Sequence, residues 1–565
     1  MTKTFKGIAA SKGIAIGKAY MFEKAEIVVN ESNVSPEEYN SEKERVKKAI
    51  SDYEIDLKNQ EASNPEIQAV IDAHIELISD PYLIESVEGK IEGQSYNAEF
   101  ALKETIDEMV TMMSALEDEY LKERATDYKD IGEKLMYKLK GIEAKGLAEL
   151  TEEVIVIAKE LTPSDTSTMK KDLVLGFAND LGGKTSHTSI IAQTLSIPAV
   201  VGMKDITANV EHGDTIILDA NLGHVIVNPD EETLSNYRSQ QEELLREKER
   251  LDQIKDQKAI TKDGREIEIV CNIGNLEDLE IGLEGGAEGV GLFRTEFLYM
   301  ESDDFPTEEF QFEIYKKAAE RLGEMPLLIR TLDIGGDKDL SYFEFPKEDN
   351  PFLGWRALRI CFDLEDVFKD QLKAILRASA FGNVKILLPM VISVEEIKKV
   401  NELVEKYKKE LDADNIAYNP NIDIGIMVET PASVMIAEDL IKYCDYFSIG
   451  TNDLTQYLLA VDRGNDKISN LYNNFHPAVL RAIKKIIDAS HAAGKWTGMC
   501  GGMASDTNAT YLLLGMGLDE FSAVGSQIGK IKDIIINADY EEAKKFAEEV
   551  LELESIELIE QKIFN

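Results

Sequence analysis

The sequence predicts a multidomain α/β protein: a small α/β domain interrupted by an all-helical insertion, then a linker helix, then a C-terminal (β/α)8 barrel. Three observations predict it. After Thr261, short apolar strands alternate with helical segments, and eight strand candidates recur within residues 259–565. From about Ser35 to Gly141 apolar residues recur only at helical spacing, while the flanking stretches hold short β-branched runs. Residues 230–258 are polar, charged and free of glycine and proline, as in an exposed connecting helix.

The elements follow in chain order. Residues 3–20 alternate apolar and small side chains with glycines and read as a short strand pair. Such a pair is too short to stand alone, so it is expected to join the later α/β domain. Three stretches carry the helical period: VKKAISDYEIDLKNQ, PEIQAVIDAHIELISDPYLIESVEGKI and NAEFALKETIDEMVTMMSALEDEYLKERATDYKDIGEKLMYKL. Residues 51–120 hold 18 acidic and 3 basic residues, so these helices pair an apolar face with a strongly negative one. The runs EEVIVIAKEL, LVLGFAND, AVVGM, DTIILDA and HVIVNP are the strands of the small domain. The barrel strands are IEIVCNIG, GVGLFRTE, LLIRTLDIGG, VKILLPMV, IDIGIMVET, YFSIGTNDL, WTGMCGGMA and EFSAVG. An open doubly wound sheet is the competing arrangement. Polar residues at the strand ends, Arg294, Glu296, Arg330, Asp333, Glu429, Asn452, Asp453 and Cys500, favour the barrel, where such ends converge. The expected domains are 1–20 with 146–229, the insertion 21–145, the linker 230–258 and the barrel 259–565.

Composition narrows the function. The chain is 44% hydrophobic and 30% charged, which is globular, and no run of eighteen apolar residues is long enough to span a bilayer. The N-terminus lacks the apolar core of a signal peptide. Cys271, Cys361, Cys444 and Cys500 are scattered without paired spacing, which argues against disulfides or zinc and fits a reducing cytoplasm. A net charge of −44 makes nucleic acid and anionic membranes poor partners. A basic protein partner fits that surface, and so does solubility alone.

Four groups of residues carry chemistry. Arg294 and Arg330 end strands, Arg356 and Arg359 lie in NPFLGWRALR and Arg463 in VDRGND just past TNDLTQY, and guanidinium forks match phosphate and carboxylate. Several of them at one mouth suggest a small, highly charged anion, against structural salt bridges one by one. Glu429 and Asp453, with Asn452 beside the latter, end neighbouring strands and suit Mg²⁺. Asp453 also reads as a helix cap, a role Glu429 fills poorly. Cys500 stands before two glycines at a strand end, where a thiol acts as nucleophile or proton donor, or simply fills core. His187 follows a glycine turn at a helix start. That position favours neutral imidazole and a bound anion, so His187 is either a phosphoryl acceptor or an ordinary helix-start histidine.

Longer stretches carry a resemblance. GGKTSHTSIIAQTLSIPAVVG resembles the phosphohistidine signature of the phosphoenolpyruvate-utilising enzymes. GVGLFRTEFLYM, RTLDIGGDK, NPFLGWRALR, GIMVETPAS, FSIGTNDLTQYLLAVDRGN and GMCGGMASD resemble the phosphoenolpyruvate-binding barrel of the same family. Domain order is most similar to its Enzyme I branch, which feeds bacterial sugar phosphotransferase systems. Pyruvate phosphate dikinase and phosphoenolpyruvate synthase share both motifs. They carry a large ATP-binding domain where this sequence has about 145 helical, acidic residues. A regulatory homologue without catalysis is disfavoured because every chemical position has the expected residue type. The resemblance implies that His187 is the phosphorylated histidine and Cys500 the proton donor. It also implies that Arg294, Arg330, Arg356, Asn452, Asp453 and Arg463 bind phosphoenolpyruvate, and that Glu429 and Asp453 hold Mg²⁺. By the same resemblance the insertion docks the phosphocarrier protein HPr, and the barrel pairs two copies into a homodimer.

Overall fold

A computed structural model of the 565-residue chain describes every residue except 1, 24–26, 60–64, 115–118, 143–146, 148–149, 163–164, 167–168, 184–185, 196, 337, 339, 466 and 565. Within the described helices, the side chains of residues 65–67, 69–70, 119–123, 126, 187, 190 and 194 are likewise outside the description. The chain divides into two compact units, residues 1–246 and 247–565.

The first unit is built on an eight-stranded mixed sheet. Its strands are β1 (Lys3–Lys6), β2 (Ile8–Ser11), β3 (Ile14–Phe22), β4 (Val154–Ala158), β5 (Val174–Asn179), β6 (Ala199–Val201), β7 (Thr215–Asp219) and β8 (His224–Val227), in the order β1-β8-β7-β3-β4-β5-β6-β2. All five internal strands read from the sequence are present, and the N-terminal strands join them. They do not pair with each other as expected. β1 runs antiparallel to β8 at one edge, and β2 runs antiparallel to β6 at the other. The nine-residue β3 takes the central position between β7 and β4, leaving the two four-residue strands to close the edges.

β4 explains how the sheet is covered. Val154, Val156 and Ala158 face one core and Ile155 and Ile157 the other, so the run VIVIA is apolar throughout because both faces are buried. The first core is shared with five helices: α1 (Tyr39–Lys58), α2 (Pro65–Ile78), α3 (Pro81–Gln94), α4 (Ala98–Ser114) and α5 (Glu119–Lys140). The stretch that reads as one long helical run from Pro65 is two helices. Asp80 caps α3 by accepting the Tyr82 amide (2.9 Å), and Pro81 sits in the first turn, where its missing N–H costs nothing. Helix α6 (His187–Thr194) follows the glycine turn, and α7 (Glu231–Ile254) has no buried residue. Among the described residues no helix is long and apolar enough to cross a membrane.

The second unit is a closed parallel barrel: β10 (Glu266–Ile273), β11 (Val290–Arg294), β12 (Pro326–Arg330), β13 (Asn383–Leu388), β14 (Ile424–Val428), β15 (Phe447–Ile449), β16 (Thr497–Met499) and β17 (Glu520–Ala523). β17 pairs with β10, so the sheet closes and the open arrangement is excluded; β9 (Ala259–Ile260) adds antiparallel to β10. Each strand coincides with one of the eight runs read from the sequence. Strand residues alternate between a large core against the outer helices and a smaller core inside the barrel. The inner core contains Leu292, Leu328, Leu387, Met427, Tyr446 and Cys500, with Trp496 against it.

Candidate active site

The C-terminal ends of the barrel strands open into a cleft of about 450 Å³. β11 delivers Arg294 and β12 delivers Arg330. Glu429 follows β14, Asn452 and Asp453 lie in the first turn of the helix after β15, and Cys500 follows β16. Arg356 and Arg463 reach the same cleft from longer loops. Apart from Arg359, all the barrel residues singled out as site candidates therefore come together. Arg359 instead bonds the Leu353 and Gly354 carbonyls (3.0 and 2.7 Å).

The cleft is a charge lattice. Arg356, 2% exposed, donates to Asp333 (3.0 and 3.2 Å) and to Asp453 (3.1 Å from each terminal nitrogen). Arg330 pairs with Glu296 and with Asp333 (3.0 Å). Lys338 Nζ bridges Glu296 (2.8 Å) and Asp333 (3.2 Å). Burial alone would favour the neutral guanidinium of Arg330, but Glu296 and Asp333 outweigh it and keep it charged. The same cations hold Asp333 far below the usual carboxylate range against the opposing effect of burial. Asp453 does not cap its helix. It is bound by Arg356, and Gly450 occupies the cap position.

Glu429 is the exception in this lattice. Its Oε1 accepts the Met390 amide (2.7 Å), while its buried Oε2 has no hydrogen-bond partner among the described residues. A Cβ on Gly450 would lie 2.3 Å from that oxygen, so a glycine is required for the carboxylate to lie there. Burial, then Asp453 and Asp333, push Glu429 up to about 8 against Arg330 and Arg356. Arg294 has no ion pair among the described residues. Asn452 accepts the Gly502 amide (2.9 Å), and Tyr472 donates to the Asn452 carbonyl (3.2 Å). Burial pushes the Cys500 thiol up to about 11; Ser448 and the arginines oppose, and Glu429 adds to the rise. The thiol therefore keeps its proton at neutral pH, which suits a donor rather than a nucleophile.

Lys338, Glu296, Asp333 and Tyr472 are further polar residues of the lining beyond the residues proposed from sequence as the site. Glu296 and Asp333 were visible as polar strand ends. Lys338 had a signal in the GGDK turn after β12. Tyr472, in a long loop, had none.

His187 begins α6, with Ser186 at the cap position. The His187 side chain and residues 184–185 lie outside the described residues. Ser186 makes no cap; its hydroxyl and that of Ser189 donate to the Gly183 carbonyl (2.9 and 2.7 Å), bracing the turn. Thr188 donates to Leu161 O (2.6 Å) and ties the helix start to the loop after β4. The remaining histidines include clear structural cases. His74 is buried against Tyr53 (3.2 Å), His476 caps a helix by accepting the Ala478 amide (3.1 Å), and His491 pairs with Asp519 (2.7 Å).

A closed (β/α)8 barrel with a cation-rich mouth, preceded by an α/β domain with a histidine at a helix start, defines a class of multidomain α/β protein. Three sequence profiles match the chain. The PEP-utilising enzyme N-terminal profile matches residues 6–124, the mobile-domain profile 150–223 and the PEP-binding-domain profile 248–540. The phosphoenolpyruvate-protein phosphotransferase of Listeria monocytogenes is 44% identical, covering 99% of both chains. Those of Buchnera aphidicola from Acyrthosiphon pisum (47%, 97% of both) and Bacillus subtilis (43%, 98% of this chain and 97% of that one) are similar over the same extent. The chain belongs to the PEP-utilising enzymes and, within them, to the phosphoenolpyruvate-protein phosphotransferase family.

Proposed function

We propose that this chain takes the phosphoryl group of phosphoenolpyruvate onto His187 and passes it to a histidine of HPr, releasing pyruvate. The observation that carries the reading is the convergence of Arg294, Arg330 and Arg463 around a protonated buried thiol, in a chain of net charge −44. In so acidic a protein that cation cluster suits a small polyanion.

Arg294, Arg330 and Arg463 clamp the phosphate and carboxylate. Arg356 assists by holding Asp453 and Asp333 in place, and Asn452 by orienting the substrate. As the bond from phosphorus to the enol oxygen breaks, a bond to a His187 ring nitrogen forms, and the arginines neutralise charge at the transferring group. The enolate left behind takes the Cys500 proton at C3: the S–H bond breaks, a C–H bond forms, and a thiolate remains.

The donor set fits Mg²⁺. Glu429 offers an unpartnered buried oxygen beside Asp453, and hard cations prefer such oxygens. Among the described residues no three metal-ligating side chains cluster, so substrate oxygens and water would complete the shell. Bound there, Mg²⁺ would supply charge neutralisation to the phosphate.

In this reading residues 1–20 and 146–229 form the phosphohistidine domain, 21–145 dock HPr through their acidic face, and 230–258 link. Residues 259–565 bind phosphoenolpyruvate and pair in a homodimer. A cytoplasmic setting is supported by four free, buried cysteines. Incubation with phosphorus-labelled phosphoenolpyruvate and Mg²⁺ tests the reading. Acid-labile, base-stable label is expected on the wild type and none on His187→Ala. Equal labelling of the variant would overturn it.

A further inference from the structure

The strand ends that carry the cleft's charges need a support, because the ladder between them stops there. Arg294 and Arg330 are the last residues of β11 and β12 and are cross-strand partners. Thr331 still reaches β13, donating to the Leu387 carbonyl (2.9 Å). One residue further, the buried Leu332 amide lies past the end of its strand. Left unpaired, a buried N–H costs free energy, and a chain free to shift there would carry the charged side chains with it.

A buried glutamine takes that amide. Gln371 lies in the helix Glu365–Ala378 and is fully buried. Its Oε1 accepts the Leu332 amide (2.8 Å), and its Nε2 donates to the Thr295 hydroxyl (3.1 Å). Thr295, also fully buried, donates in turn to the Arg330 carbonyl (2.8 Å). Chemistry fixes these directions. A backbone N–H only donates, so Oε1 must face Leu332. Thr295 spends its one proton on the Arg330 carbonyl, so it must accept from Nε2. Nε2 also reaches the Tyr315 hydroxyl (3.5 Å), which donates to Gln311 Oε1 (3.0 Å). Gln311 anchors the far side of this network: it accepts from Tyr299 (3.2 Å) and donates to the Pro306 carbonyl (2.9 Å).

Gln371 and Thr295 thus bracket both strand ends. Thr295 stands between Arg294 and Glu296. The Arg330 carbonyl and the Leu332 amide flank Thr331, and Asp333 follows. Arg294, Glu296, Arg330 and Asp333 all line the cleft, whereas Thr295 and Gln371 do not. Resting on the function proposed above, we infer that Gln371 is a positioning residue for phosphoryl transfer. Through Thr295 and the Leu332 amide it fixes the spacing of Arg294 and Arg330, which adjacent strands bring to phosphoenolpyruvate. Gln371 touches no substrate. It holds two guanidinium groups where charge develops, and a misplacement of about 1 Å at such a site costs about 10²-fold.

Gln371→Leu nearly keeps the volume and removes both bonds. In the coupled pyruvate assay with HPr and Mg²⁺, kcat/KM for phosphoenolpyruvate should fall by at least about tenfold. The value for HPr should not change, because HPr meets the phosphorylated enzyme only after the arginines have done their work. A shortage of folded molecules would lower both values alike. Thr295→Val loses only the hydroxyl; it should show the same split, and it decides the matter should Gln371→Leu fail to fold. Thr295→Ser keeps the hydroxyl and should stay within about threefold of the wild type. Gln311→Leu cuts the network away from the strand ends and should leave kcat/KM for phosphoenolpyruvate unchanged. Wild-type values in Gln371→Leu and Thr295→Val, a parallel fall for HPr, a Thr295→Ser as impaired as Thr295→Val, or an equal fall in Gln311→Leu would overturn the inference. Failure of the wild type to turn over phosphoenolpyruvate would instead overturn the function on which it rests.

Discussion

Glu429 and Cys500 are both pushed up by burial, to about 8 and about 11, yet they are suited to opposite work. The carboxyl becomes a cation ligand once it loses its proton, whereas the thiol serves by keeping its own. Cys500→Ala is accordingly expected to label His187 from phosphoenolpyruvate while pyruvate formation falls by about 10²–10⁴-fold, the usual range for a lost general acid. An unchanged pyruvate rate, measured by coupled assay, would remove Cys500 from the mechanism. Arg356 gives a stability prediction. Arg356→Met leaves Asp453 buried without its cation, while Asp333 keeps Arg330 and Lys338. Breaking a buried pair from one side costs about 3–5 kcal/mol, so urea unfolding of the barrel should report a loss of that order. A loss under about 1 kcal/mol would mean that water or the Tyr457 hydroxyl, which accepts from Arg356 at 3.3 Å in this structure, replaces the pairing. Arg294, Arg330, Glu429, Asp453 and Cys500 were legible because each ends or follows a strand, and barrel strands converge. The Arg356–Asp333–Asp453 clamp was not, because it joins residues 23 and 97 positions apart that only the closed barrel brings together.

Among the elements, helix α7 shows how little of a connecting helix is held by packing. It buries no side chain, and its ties are polar. Tyr237 donates to Asp219 (3.0 Å) near one end, and Arg250 pairs with Asp533 (2.9 Å) near the other. Just past its C-terminus the buried Lys532 ammonium donates to the carbonyls of Lys255 (2.7 Å) and Gly286 (2.8 Å). Burial pulls that ammonium's pKa down and Glu288 opposes. Lys532→Met strands both carbonyls. The expected cost is about 1–3 kcal/mol in the barrel unit, with faster amide exchange around Gly286 and no change in the first unit. Equal protection in both proteins would show that the carbonyls find other donors. Composition located α7, and short apolar runs bounded by turn residues located the eight barrel strands and the five internal strands of the first sheet. Neither located the partners of β1 and β2. A four-residue strand carries too little pattern to choose between a neighbour in sequence and an edge made much later in the chain.

At the scale of the whole chain, the acidity read from composition is spread over both units, and the proposed HPr docking would account for only the helical part of it. What composition did not expose is the division of labour between the units. His187 begins a helix of the first unit, and the cation-rich cleft belongs to the second. The proposed reaction needs that one histidine to meet phosphoenolpyruvate in the cleft and then HPr on the acidic insertion. We expect the units to rearrange during turnover. α7, which has no buried residue, is the element best suited to yield. Small-angle scattering should therefore differ between the protein alone and the protein with phosphoenolpyruvate and Mg²⁺. The difference should persist in His187→Ala, which binds substrate but cannot be phosphorylated, because closure onto bound substrate precedes transfer. Identical scattering in all states would mean that His187 already lies at the cleft and that HPr must reach it there.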